Sequence, residues 1–132
     1  MDLALKTILL LHEDLGFVFW LGHILDQAGY EAYPARMVSD AFTLIADLCP
    51  QLDLVVCDPQ MDGVGVLLAG LSHLQPSLKV VFVESSAFRT PTGLRVTSAV
   101  YPKPEHISES TKAEWLQLIA GLEHSSAHSH SV

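Results

Sequence analysis

Basic side chains are scarce in this 132-residue chain: 7 Lys and Arg stand against 15 Asp and Glu, giving a formal net charge of −8. Binding to a phosphate backbone needs clustered Lys and Arg, so direct recognition of nucleic acid is excluded as an expectation. The same shortage disfavours a polybasic contact with anionic lipid. Cysteine is nearly absent, with only Cys49 and Cys57, and neither has metal-type spacing. That excludes a disulfide scaffold and points to a reducing compartment. No uninterrupted apolar run reaches the ~18 residues of a membrane span. The apolar start, MDLALKTILLL, has neither a basic leader nor a small-residue cleavage site. The expectation is a soluble, cytoplasmic protein.

What the sequence does have is apolar residues, 49% of the total, with a mean hydropathy of +0.33. They fall in short runs separated by helical patterns. Ile8–Leu11 ends at His12, Glu13 and Asp14; Leu54–Cys57 ends at Asp58; Val80–Val83 ends at Glu84, Ser85 and Ser86. Such runs, rich in Val, Ile and Leu and without alternation, suit strands buried on both faces of a parallel sheet. Weaker runs at Tyr30–Tyr33 and Val96–Tyr101 supply two more strands.

Between the runs, Val18, Leu21, Leu25 and Ala28 share a helical face that Gly29 stops. Ala41, Leu44, Ile45 and Leu48 make a second stripe, with Ser39 as expected N-cap and Pro50 beyond its end. Val64, Leu67, Leu68 and Leu71 make a third, after Gly63. The last helix is expected to open with a capping box at Thr111 and Glu114 and to bury Trp115, Leu118, Ile119 and Leu122. The alternation predicts an α/β domain, a doubly wound five-stranded parallel sheet flanked by helices, over residues 1–123. Residues 124–132 are expected to form a disordered Ser/His-rich tail.

In doubly wound sheets ligands bind outside the carboxyl ends of the strands. Glu13 and Asp14 follow the first strand here, Asp58 the third and Glu84 the fourth, while Lys103 follows the fifth. Carboxylates converging on one edge repel one another. Mg²⁺, taken up by oxygen ligands, would relieve that repulsion, and Lys103 would add positive charge. Phe17, Trp20 and Ile24 form a second apolar stripe on the first helix, expected either to be buried or to touch a partner.

An acidic pair, a central Asp and a Lys-Pro, in that order and on those elements, resemble the receiver domain of two-component response regulators. The resemblance runs from residue 7 to about 123 and implies a flavodoxin-like receiver fold. It implies that Asp58 is the phosphoacceptor, that Asp14 binds Mg²⁺ directly and Glu13 partly through water, and that the carbonyl of Gln60 adds a ligand. Lys103 would meet the phosphoryl group, with a cis Lys103–Pro104 bond. The implied partners are a histidine kinase or phosphotransfer protein and a downstream protein. No effector domain is expected after the last helix, so output would pass through protein contacts unless the chain is a fragment of a longer protein, with a homodimer left open. The domain is not classed as an enzyme.

The sequence also departs from the family pattern. Glu84 stands where the family has Thr or Ser, unless a one-residue shift gives that place to Ser85. Pro59 removes a backbone N–H beside Asp58. The stretch 86–95, broken by Pro91 and Gly93, leaves the fourth helix short or degenerate. Val100 occupies the aromatic switch position, beside Tyr101. These departures favour an alternative: a pseudo-receiver that binds proteins without phosphorylation. A haloacid-dehalogenase-like hydrolase would need a second acid where Gln60 stands, and a flavodoxin-like cofactor binder would need a phosphate loop after the first strand.

Overall fold

A computed structural model describes residues 7–48, 52–75, 77–84, 97–102 and 108–128. Five strands and four helices follow one another as β1 (Thr7–Leu11), α1 (Leu15–Gln27), β2 (Glu31–Ala35), α2 (Val38–Leu48), β3 (Leu54–Cys57), α3 (Val64–Leu74), β4 (Lys79–Glu84), β5 (Thr97–Pro102) and α4 (Glu109–His128). The strands form one sheet in the order β2-β1-β3-β4-β5, and every neighbouring pair is parallel. This is the doubly wound sheet that the alternating pattern predicts.

The sheet divides the core in two. Successive side chains of a strand point to opposite faces, so Ile8, Leu10, Leu54, Val56, Val81 and Val83 pack on one side with α1 and α4. Leu9, Leu11, Val55, Cys57, Val80 and Phe82 pack on the other with α2 and α3. Every residue of β1 and β3 is buried, which is why those runs show no alternation. Each fully buried aliphatic side chain contributes about 2 kcal/mol of transfer free energy. The edge strand β2, EAYPA, has two exposed, two half-buried and one buried residue, and contains Pro34, which cannot donate to the ladder and is tolerated at an edge.

Several helix ends differ from the sequence expectation. α2 starts at Val38, so Ser39 lies inside its first turn rather than capping it. α4 starts at Glu109, ahead of the expected capping box: the Ser108 hydroxyl accepts from Thr111 N at 3.3 Å and takes the capping role. α4 also continues to His128, through the first part of the expected tail, because extending an existing helix is far easier than nucleating one. The expected stripe on α4 is borne out, with Trp115, Ile119 and Leu122 buried and Leu118 packed against them. On α1, Phe17 and Ile24 are buried and Trp20 is partly so, which settles the second stripe as core. The exposed apolar side chain of α1 is Phe19, 58% accessible.

The stretch 86–95, Ser85, Lys103 with Pro104, Cys49, and residues 129–132 lie outside the described residues. Among those described, no helix is long and apolar enough to cross a membrane.

Candidate functional site

The register of the sheet decides which strand ends meet. Leu11 of β1 stands opposite Ala35 of β2 and Cys57 of β3, and Cys57 stands opposite Phe82 of β4. Backbone hydrogen bonds extend this alignment past the strands: Asp58 N donates to Leu11 O at 3.2 Å and His12 N to Ala35 O at 3.1 Å. The segments beginning at His12, Arg36 and Asp58 therefore leave the sheet side by side at its carboxyl edge. Glu84 closes β4 at the same edge, in register with Pro102 of β5.

Asp58 is half-buried at the end of the central strand. One of its carboxylate oxygens, Oδ1, accepts from Gln60 N at 2.9 Å, and its carbonyl accepts from Met61 N at 3.2 Å. This Asx-type turn fixes the loop after β3 without the N–H that Pro59 lacks. A carboxylate has about four lone-pair sites, so one backbone bond leaves capacity for other partners. Before Asp58, Cys57 is fully buried; burial first, and the Asp58 charge second, push its thiol well above the usual range. Cys57 is thus an inert core thiol rather than a nucleophile.

Asp14 serves as the N-cap of α1. Its backbone is extended (φ −76°, ψ 97°), and Oδ1 accepts from Phe17 N at 3.2 Å. Asp14 N in turn donates to His12 Nδ1 at 3.0 Å, which requires the His12 tautomer with its proton on Nε2. The His12 ring meets Phe17 edge-on at 5.4 Å, and Phe17 meets Trp115 at 5.6 Å. An aromatic chain thereby links the edge to the core beneath α1 and α4.

Glu13, between His12 and Asp14, is exposed and lines a cavity of about 280 Å³ with Arg36, Met37, Met61 and Asp62. Arg36 also lines a larger groove of about 420 Å³, together with Leu15, Phe19, Pro34 and Asp40. The sequence reading singled out neither His12 nor Arg36 for a role. Their signal was their place, directly after β1 and directly after β2.

The structure brings Glu13, Asp14, Asp58 and Gln60 to one edge, and the backbone end of Glu84 with them. Among the described residues, no group of three or more acids, His or Cys is drawn together tightly enough to hold a metal ion. Mg²⁺ does not require three, since it keeps several waters and commonly takes one or two carboxylates plus phosphate oxygens. The donors here are all hard oxygens, which suits that ion in kind.

Solved structures with this architecture are numerous. The receiver domain of HemR from Leptospira biflexa is 24% identical, with 89% of this chain and 94% of that one aligned at a TM-score of 0.68. A response regulator receiver protein from Sinorhizobium medicae is 18% identical (93% and 98% aligned, TM-score 0.69). A CheY-like receiver domain from Methanospirillum hungatei is 19% identical (92% and 98% aligned, TM-score 0.60). The chain has the response-regulator receiver fold. No family model and no curated protein matches its sequence. At these identities the likeness extends to the fold and stops short of the chemistry.

Proposed function

We propose that this chain is a signalling receiver of a two-component phosphorelay, in which Asp58 takes a phosphoryl group from a phosphohistidine. The donor is a histidine kinase or a phosphotransfer protein. The observation that carries the reading is the placement of Asp58: an acid ending the central strand, half-buried, beside the end of β1. An Asp58 oxygen attacks phosphorus in line, the P–N bond breaks, and the leaving imidazole takes up a proton. Such a transfer needs positioning and charge neutralisation above all. Asp14, Asp58 and the Gln60 carbonyl would hold Mg²⁺, with Glu13 reaching it partly through water; the ion would neutralise charge on the transferring oxygens. Output passes through contacts with a downstream protein, and Lys103 is assigned to the phosphoryl group by the resemblance alone.

A second reading, the phosphorylation-independent pseudo-receiver, has specific support. β4 ends on an acid, Glu84, where the receiver pattern has Thr or Ser, and a carboxylate in that place would repel a phosphoryl group. Intact-mass measurement after incubation with acetyl phosphate separates the two readings. The phosphorelay reading predicts a Mg²⁺-dependent phosphoryl adduct on the wild-type protein and none on Asp58→Asn. An adduct of equal yield on Asp58→Asn would remove Asp58 as acceptor, and no adduct on either would favour the pseudo-receiver.

A further inference from the structure

We infer that Arg36 is the charge-balancing residue of the acidic edge, strengthening its hold on an anion and weakening its hold on a free divalent cation. The inference deepens the phosphorelay reading and rests on it. β2 is the edge strand, and the bond from His12 N to Ala35 O at 3.1 Å fixes the chain just before Arg36 beside the end of β1. Arg36 then enters the cavity that Glu13 shares with Met61 and Asp62, on the loop that Asp58 begins. It is the one basic side chain among the described residues lining that cavity, where two carboxylates also lie.

A guanidinium stays charged at any working pH and is weakly hydrated, so it supplies a permanent positive field there. A fixed positive charge repels Mg²⁺ and attracts a phosphoryl group, and it does both at once through the same Coulomb law. Its place just after β2 lets it act without occupying the place of either ligand. Arg36 is thus a positioning residue: it acts on the field of the cavity beside the loop that Asp58 begins and takes no part in bond making.

This opposite-sign effect is what the test reads. The wild-type protein, Arg36→Gln and Arg36→Lys are titrated with Mg²⁺ alone, and then with beryllium fluoride at saturating Mg²⁺, following the amides of Glu13, Asp58 and Met61 by NMR. Arg36→Gln should weaken beryllium fluoride binding and tighten Mg²⁺ binding, each by about threefold or more, as expected for one partly screened unit charge. Arg36→Lys keeps the charge and should stay near wild type for both ligands. Weakening of both ligands by Arg36→Gln would indicate a merely structural role and overturn the inference, as would no change in either. Failure of the parent reading has a separate signature: the wild-type protein itself shows no beryllium fluoride response, and the inference falls with it.

Discussion

Asp14 combines two capacities in one carboxylate. As a cap it satisfies Phe17 N, one of the N–H groups that an α-helix leaves without an internal partner. As an acid at the carboxyl edge it is also a candidate oxygen donor to a cation. Substitution separates the two roles, because Asn caps as well as Asp does while lacking the charge. Asp14→Ala should lose about 1 kcal/mol in urea denaturation, and Asp14→Asn should stay close to wild type. If the two lose equally, the capping bond is not what Asp14 contributes to stability. The sequence placed Asp14 at the right edge without distinguishing these roles, since a cap and a ligand leave the same signature: an acid between a strand and a helix. His12 was harder to read still. Its bond from Asp14 N and its contact with Phe17 depend on how the chain turns, which residue types do not record.

Among the elements, α3 shows how backbone conformation decides the value of a glycine. Gly63, just ahead of the helix, has φ +83°, a left-handed conformation that costs other residues roughly 1 kcal/mol or more. A Cβ there would sit 3.6 Å from Val38, an ordinary contact, so the cost is one of backbone and not of space. Gly70, inside the helix, has open space around its Cα and pays the usual entropic cost of glycine in a helix. Gly63→Ala should therefore destabilise the protein by about 1 kcal/mol, while Gly70→Ala should stabilise it by roughly 0.5–1 kcal/mol. Thermal melts of the two variants shifting in the same direction would contradict this account. The elements most legible in the sequence were β1, β3 and β4, because burial on both faces leaves an unbroken apolar run. The edge strand β2 was faint, because only Ala35 of its five residues is buried. The cap of α4 was misplaced by three residues, Thr111 for Ser108, because Ser108, Ser110 and Thr111 are all capping residue types in competition. Only the fold chooses between them.

For the whole molecule, strand order turns scattered residues into a site. Glu13, Arg36 and Asp58 are far apart in the chain, but the order β2-β1-β3 sets their strand ends in a row. The acidic edge was legible because the rule for doubly wound sheets places it from strand order alone. Arg36 was not, since its strand was the faintest and no motif marks it. The net charge of −8 makes a cation at this edge welcome and an anion less so. Under the proposed function, Arg36 and a bound cation would offset that bias locally. In the proposed function Asp58 occupies a phosphoryl-accepting site coupled to the rest of the sheet. The most direct test of that claim is the set of backbone amide shifts on adding Mg²⁺ and beryllium fluoride together. The prediction is a response centred on Glu13, Asp58 and Met61 that spreads into β4 and β5; a response to Mg²⁺ with none to beryllium fluoride would contradict it.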